Sequence, residues 1–145
     1  FVVRGDSMRP ALEDGQHILV DRSAYSHAPP ARGDVVVFWH RLPGQRKRIT
    51  SVKRVVGLPG EHLQIKYGRV FLDGKLLEEP YATRTELQEG GLPSQWVTGE
   101  GQCFLLGDNR ADSYDSRRLG PVDAADIIGK AWLRCWPPRA WGRVK

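Results

Sequence analysis

Three segments of the chain contain residues that could perform nucleophilic chemistry together. Ser7 lies in the turn-like segment "RGDSMRPALEDG", and Lys53 lies within the apolar run "ITSVKRVVG". Residues 107–122, "GDNRADSYDSRRLGPV", place serine, aspartate, asparagine and arginine side chains directly after an apolar run. A serine hydroxyl becomes a nucleophile when a base within hydrogen-bond reach removes its proton. The chemistry to consider is therefore acyl transfer by a serine, for which another part of the chain must supply the base.

Lys53 is the candidate base, and its role depends on its protonation. Strand alternation places Lys53 on one face with Ser51 and Val55, and places Val52 and Val56 on the other. A lysine acts as a base only when it is neutral, so its pKa must fall by several units, which burial can achieve. The alternative is that the aliphatic stem packs on the strand while the ammonium group stays in water.

The other two segments also have structural interpretations. Ser7, which lies close to glycine and proline residues, is typical of a turn serine. The 107–122 loop could satisfy its own polar groups through Asx turns, with Asp115 paired to Arg117 or Arg110. Neither segment by itself distinguishes chemistry from turn structure.

Short β-rich runs separated by Gly, Pro and Asp must position these residues. They predict an all-β, mainly antiparallel fold, with Asp73-Gly74 as a two-residue hairpin turn. One segment, "DAADIIG", predicts a helix of one or two turns that begins at Asp123 and ends at Gly129. The strand candidates are "HILV", "DVVVFW", "RITSVKRVVG", "HLQIKYG", "RVFL", "KLL", "CFLLG" and "KAWLRCW".

A chain of 145 residues fits one domain with one core. We expect a main unit formed by residues of about 1–60 and 101–145, interrupted by a small variable insertion of about 61–100. Residues 78–101 are polar and rich in Gly and Pro, which is typical of a flexible excursion or a small subdomain.

The net charge of +5 would suit an acidic partner. The basic residues are spread along the chain, which favours an anionic lipid surface over nucleic acid, and we expect no nucleic-acid partner. The longest apolar run, Val35 to Trp39, is far too short to cross a bilayer. Because the chain opens at Phe1 without a methionine, we expect it to be a piece of a longer protein.

Two cysteines and four histidines show no metal-ligand spacing, so we expect no metal and no cofactor. Cys103 and Cys135 lie in strand-like runs, which favours two buried thiols. A disulfide would require the two cysteines to lie on neighbouring strands, and the sequence leaves this open.

Four motifs in order, "GDSMRPAL", "RGDVVVF", "KRVVGLPGE" and "GDNRADSYDSRRLGPV", resemble the conserved boxes of the bacterial type I signal peptidases. The resemblance implies coiled β-sheets and an endopeptidase that cleaves signal peptides from exported proteins after Ala-x-Ala-like sites. It also implies a plasma-membrane location with the catalytic domain on the extracytoplasmic face. The partners it implies are signal peptides, the phospholipid surface and possible protein translocation machinery.

The resemblance assigns roles to individual residues. Ser7 would be the nucleophile and Lys53 the general base. Ser113 would hydrogen-bond the Lys53 amine, while Asp115 and Arg117 would brace the loop as an ion pair.

The backbone N–H of Ser7 would be one donor to the oxyanion. The position two residues earlier, a side-chain donor in some members, is Gly5 here, so a backbone group or a water must substitute. Shallow apolar subsites for small substrate side chains would be lined by Val3, Met8, Leu12, Val37 and Val52. For Leu12 and Val37 the sheet core is an equal alternative.

Aromatic and basic residues at both ends of the chain suit a bilayer interface. These are Phe1, Val2 and the segment "CWPPRAWGRVK", whereas we expect Trp132 to pack in the core. Two other classes remain possible from the sequence. A LexA-type self-cleaving repressor would need a DNA-binding domain and a cleavage site upstream, and a membrane-surface binding module would not need Ser7 and Lys53.

Overall fold

The computed structural model describes residues 1–83 and 94–145, and in this part of the chain nearly all regular structure is β-sheet. In these described residues there are eleven strands and one four-residue α-helix: β1 His17–Asp21, β2 Val35–Arg41, β3 Arg48–Gly57, β4 His62–Lys66, β5 Arg69–Leu72, β6 Lys75–Leu76, β7 Ser94–Val97, β8 Gln102–Leu106, α1 Ser116–Leu119, β9 Val122–Asp123, β10 Ile127–Trp136 and β11 Gly142–Arg143. Every predicted strand run forms a strand, and the all-β fold class is confirmed.

The larger sheet has seven strands in the order β1-β10-β2-β3-β8-β9, with β11 added beside β10. Its pairs are antiparallel, and β2 and β3 pair in continuous register from Val35 opposite Arg54 to Arg41 opposite Arg48. The first four residues of β2 are all buried, because apolar clusters cover both faces of the sheet there. Lys53 lies in β3, which together with β2 forms the centre of this sheet.

The predicted helix at 123–129 is wrong beyond its first turn. Only Ala124–Asp126 forms a short 3-10 turn, and the Asp123 side chain makes no capping hydrogen bond. Ile127 already pairs with Phe38 as the first residue of β10. A Cβ at Gly129 would lie 2.4 Å from the Asp21 carbonyl oxygen. Gly129 therefore permits a close approach between strands rather than ending a helix.

The smaller sheet has the order β6-β5-β4-β7 and lies between residues 62 and 97, inside the segment predicted as an insertion. The Asp73-Gly74 turn joins β5 to β6 with φ values of 47° and 82°, as the hairpin prediction requires. Tyr67 and Gly68 form a second positive-φ turn, between β4 and β5, that the sequence did not indicate.

The small sheet packs on the large one through a shared apolar cluster. Leu63 and Val70 contribute to it from one side, and Val56 and Phe104 from the other. A Cβ at Gly57 would lie 2.7 Å from a Leu63 methyl carbon and 2.8 Å from Phe104 Cβ. The two sheets can pack this closely because position 57 is a glycine.

Cys103 and Cys135 are both free, since they lie on β8 and β10, which are not neighbours in the sheet. Cys103 is buried, but Cys135 is only partly so. The expectation that Trp132 packs in the core is wrong, because the residue is 45% exposed. Ala131 faces the core, and alternation along β10 turns Trp132 outward. Within residues 1–83 and 94–145, no helix has the length and apolar character needed to cross a bilayer.

Candidate active site

Ser7 and Lys53 are in contact. The Lys53 amine donates hydrogen bonds to Ser7 Oγ at 2.7 Å and to the Val52 carbonyl at 3.0 Å. Ser7 lies on a turn, between buried Val3 and Met8, that leads into β1, whereas Lys53 lies in the middle of β3. The fold thus joins a serine and a lysine separated by 46 residues of sequence.

The Lys53 amine is almost completely buried, with 4% of the residue exposed. Burial lowers the pKa of Lys53 to about 8, against the opposing influence of the Asp115 and Asp108 carboxylates. The neighbouring Arg54 points to the other face of β3, where its guanidinium forms two hydrogen bonds with Asp108 at 2.6 and 2.8 Å. Lys53 is therefore a lysine that can lose its proton near physiological pH.

Asp115 is the centre of the polar loop that follows β8. Its fully buried carboxylate accepts hydrogen bonds from Arg117 Nε and Nη2, both at 2.9 Å, from Gly107 N at 3.0 Å, and from Ser113 Oγ at 2.7 Å. Burial alone would raise the pKa of Asp115, but hydrogen bonds and charge from Arg117 hold it below its usual value. The structure thus contains the ion pair expected between Asp115 and Arg117.

Ser113 differs from its expected arrangement. Its hydroxyl donates to Asp115, whereas the hydrogen bonds of the Lys53 amine in the described residues go to Ser7 and Val52. The buried carboxylate takes the single proton of the hydroxyl, because a hydrogen bond to an ionised acceptor is stronger than one to a neutral amine. Ser113 still lies at the site, since a Cβ at Gly107 would be 2.2 Å from its Oγ.

The polar loop also holds the nucleophile turn through a residue that the sequence did not single out. Asn109 N donates to the Ser7 carbonyl at 3.0 Å, and Asn109 Nδ2 donates to the Asp6 carbonyl at 3.2 Å. Asn109 stands in the dense polar motif, and this motif was the signal that could have identified it.

An open cleft of about 280 Å³ contains the Ser7–Lys53 contact. Ile49 and Ser51 extend one wall along the same face of β3 as Lys53. His40 Nε2 lies 2.7 Å from Ser51 Oγ, and burial, together with the charge of Lys53, lowers the pKa of His40. The lining is completed by Gly5, Asp6, Leu42, Asp112 and Tyr114.

The five residues predicted for apolar subsites all lie in one buried cluster. Two of them adjoin the dyad in sequence, because Met8 follows Ser7 and Val52 precedes Lys53. Burial in this cluster is sufficient to explain why these side chains are apolar. Their function as walls of substrate subsites stays a prediction. Its members from the prediction are Val3, Met8, Leu12, Val37 and Val52.

Gly5 has φ +77°, a conformation that side-chain-bearing residues rarely adopt. Its N–H donates to Asp14 Oδ1 at 2.7 Å. Position 5 therefore shapes the turn before Ser7, and its backbone donor is already engaged.

The fold and the site together define a class of protein: an all-β chain in which a buried lysine amine contacts a serine hydroxyl at an open cleft. A family model described as "Signal peptidase, peptidase S26" matches residues 1–136. The chain belongs to this family of serine peptidases, and the resemblance found in the four motifs is confirmed.

Individual relatives agree with this assignment. The chain is 38% identical over 148 residues to a signal peptidase I of Bacillus caldolyticus, covering 94% of this chain and 79% of the relative. It is 37% identical over 147 residues to a signal peptidase I of Leptolyngbya laminosa, covering 98% and 70%. A crystal structure of a signal peptidase I from Enterococcus faecalis V583 superimposes with a TM-score of 0.57 at 29% identity, over 70% of this chain and 95% of that one.

Proposed function

We propose that this protein is a membrane-associated serine endopeptidase that removes N-terminal signal peptides from exported proteins. The observation that supports it best is the 2.7 Å contact between Ser7 Oγ and the buried Lys53 amine. A base must lie within hydrogen-bond reach of the proton it removes and must have a pKa near the working pH. Lys53 satisfies both conditions.

In the proposed reaction, neutral Lys53 accepts the hydroxyl proton as Ser7 Oγ attacks the carbonyl carbon of the scissile bond. The protonated amine then gives the proton to the leaving nitrogen, and the signal peptide remains as an ester on Ser7. Lys53, neutral again, takes a proton from a water that attacks the ester, and gives this proton to Ser7 Oγ as the ester bond breaks. Hydrolysis releases the signal peptide and restores Ser7.

One edge of β3 suits an extended substrate. The segment Arg48–Lys53 pairs with β2 on one side, while pairing with β8 begins only at Arg54. In the described part of the chain, the other edge of that segment is therefore open beside Ser7. A peptide that adds a strand there would turn alternate side chains toward the apolar cluster that contains Val52 and Met8. Only small side chains would fit against this closely packed cluster, so we expect a preference for Ala-x-Ala sites.

The oxyanion of the tetrahedral intermediate would accept a hydrogen bond from the backbone N–H of Ser7. A second donor is needed for full stabilisation. Gly5 has no side-chain donor and its N–H is bonded to Asp14, so a water or another backbone amide would supply it.

A membrane-facing surface would lie around β1, β10 and β11. Large apolar side chains remain exposed there, and arginine and lysine residues stand among them. Such a mixture suits the headgroup region of an anionic bilayer on its extracytoplasmic side, next to the translocation machinery that delivers substrates. The exposed side chains are Phe1, Leu19, Trp132, Trp136 and Trp141.

Cleavage of a peptide with an Ala-x-Ala site tests the proposal. Ser7→Ala and Lys53→Ala should each abolish cleavage while the fold, followed by circular dichroism, is retained. Variants in which one histidine is replaced should still cleave the peptide, because the contact that activates Ser7 is made by a lysine. Loss of activity from one histidine replacement in a folded variant would require a serine–histidine mechanism instead. The replacements are His17→Gln, His40→Gln and His62→Gln.

A further inference from the structure

We propose that the segment 77–83, termed here the docking segment, positions the nucleophile of the reaction proposed above, with Glu79 as its principal positioning residue. The docking segment begins beside the small sheet, where Leu77 N donates to the Val70 carbonyl at 2.9 Å. It then reaches the polar loop next to Ser7. No substrate contact is involved, so the proposed action passes through the loop.

The backbone of the docking segment holds the loop on both sides of Asn109. Thr83 N donates to the Asp108 carbonyl at 2.8 Å, and Arg110 N donates to the Thr83 carbonyl at 3.1 Å. Thr83 and Asn109 thereby form an isolated parallel β-bridge. Asn109 in turn donates its N–H to the Ser7 carbonyl at 3.0 Å. A shift of Thr83 would therefore be transmitted to the nucleophile through one residue.

Glu79 acts on the same loop through a buried ion pair. Its carboxylate has no exposed surface and accepts two hydrogen bonds from the Arg110 guanidinium, whose side chain is 8% exposed. Arg110 Nε donates to the Gly107 carbonyl at 2.9 Å. Gly107 is the loop residue packed against the Ser7 carbonyl. Glu79 thus orients a guanidinium that fixes the peptide group beside the nucleophile.

Tyr81 extends the docking segment toward the base. Its ring lies over the Arg54 guanidinium, with 4.2 Å from the ring centre to the guanidinium carbon, and its hydroxyl donates to Glu79 at 3.2 Å. Arg54 follows Lys53 directly and pairs with Asp108. The docking segment therefore contacts both the polar loop that holds Ser7 and the residue that follows Lys53.

The docking segment acts on the loop that holds Ser7, whereas the proposed substrate strand would lie along the β3 wall of the cleft, at Ile49 and Ser51. Loss of the ion pair should therefore lower kcat and leave KM nearly unchanged. A displacement of about 1 Å at a reacting group can cost about 100-fold in rate. For Glu79→Gln we expect kcat for an Ala-x-Ala peptide to fall by about 10- to 100-fold.

Two variants serve as matched controls. Glu78→Gln removes the same charge from the neighbouring residue, whose side chain is exposed and makes none of the contacts by which the docking segment holds the loop. Glu61→Gln breaks the Arg32–Glu61 ion pair, which also joins the small sheet to the large one but does not touch the polar loop. Both should retain the kcat of the unmodified protein, even where urea unfolding shows that Glu61→Gln lowers stability as much as Glu79→Gln does. Equal losses of kcat in Glu61→Gln and Glu79→Gln, or an unchanged kcat in Glu79→Gln, would overturn the proposal.

A second measurement separates this inference from the proposed function. Amide hydrogen exchange at Asn109 should accelerate in Glu79→Gln and not in Glu61→Gln, whether or not the protein cleaves the peptide. If the unmodified protein is inactive but Asn109 responds in this way, the proposed function fails and the positioning contact stands. If Glu79→Gln does not fold, Glu79→Asp retains the charge with a shorter reach and should give an intermediate kcat. An unchanged kcat in Glu79→Asp, with unchanged exchange at Asn109, would also overturn the inference.

Discussion

Gly107 lies so close to Ser7 that a Cβ at position 107 would stand 2.6 Å from the Ser7 carbonyl oxygen. The same Cβ would stand 2.2 Å from Ser113 Oγ. Neither the nucleophile turn nor the polar loop could remain in place if position 107 had a side chain. The absence of a side chain at Gly107 is thus a condition for the geometry of the site.

Gly107→Ala should therefore inactivate the protein without unfolding it. The added methyl group must push away the Ser7 carbonyl, which also moves the hydroxyl, and we expect kcat to fall by about 100-fold or more. Peptide cleavage and urea unfolding measure the two effects. Gly99→Ala is the control, since its Cβ meets only the flexible end of Gln102 and should leave kcat unchanged. A Gly107→Ala protein as active as the unmodified one would show that the loop can move without effect on Ser7.

The rate of cleavage should rise with pH and level off above the pKa of Lys53, which burial lowers to about 8. Only the neutral amine can accept the Ser7 proton, so at pH 7 about one molecule in ten would be competent. The acidic limb of the pH profile of kcat/KM reports the pKa of Lys53 in the free enzyme. A midpoint near 10.5 would mean that Lys53 is a charged structural residue, and Ser7 would then be an ordinary turn serine.

Lys53→Met should be inactive and yet at least as stable as the unmodified protein at pH 7. Below pH 8 both the folded and the unfolded lysine are protonated, and burial of the charge costs about 3 kcal/mol, at roughly 1.4 kcal/mol per pKa unit. Between pH 8 and 10.5 the unfolded chain holds the proton and the folded chain does not, so the stability of the unmodified protein rises with pH. Methionine removes this cost.

Urea unfolding of the unmodified protein and of Lys53→Met, measured from pH 7 to pH 10.5, compares their free energies of unfolding. The stability advantage of Lys53→Met should be largest at pH 7 and should shrink as the pH rises toward 10.5. Two hydrogen bonds of the amine, to Ser7 and Val52, are lost at every pH and offset part of the gain, at about 1 kcal/mol each. A strong destabilisation by methionine at pH 7 would contradict burial of a readily neutralised lysine.

Local patterns in the sequence were sufficient to predict most of the fold. The run "RITSVKRVVG" is strand β3, and Asp73-Gly74 forms the expected hairpin turn, because strand preference and positive φ depend mainly on a few adjacent residues. The contact between Ser7 and Lys53 was predicted from the resemblance of four motifs to a known family, because no local pattern in the sequence indicates it.

The features that could not be predicted depend on contacts between distant segments. Gly129 looks like a helix stop, but it is a glycine because the Asp21 carbonyl approaches it across the sheet. Ser113 donates to Asp115 rather than bonding the Lys53 amine as expected, and this choice depends on the buried charge of Asp115. The Glu79–Arg110 pair joins residues 31 apart, and no periodic pattern links them.

Asp115→Asn should shift the acidic limb of the rate profile to lower pH while it lowers stability. The Asp115 carboxylate raises the pKa of Lys53 and Arg117 lowers it, so removing the carboxylate and leaving Arg117 unpaired both lower the Lys53 pKa. The broken buried ion pair should cost about 3 kcal/mol at neutral pH, as measured by urea unfolding. This loss should diminish as the pH falls through the lowered pKa of Asp115, where the unmodified carboxyl is also protonated.

Asp112→Asn, at an exposed position whose carboxylate also raises the Lys53 pKa, should give a smaller shift in the same direction with little loss of stability. A limb that moves to higher pH in Asp115→Asn would show that the polar loop protects Lys53 from water rather than acting through its charge.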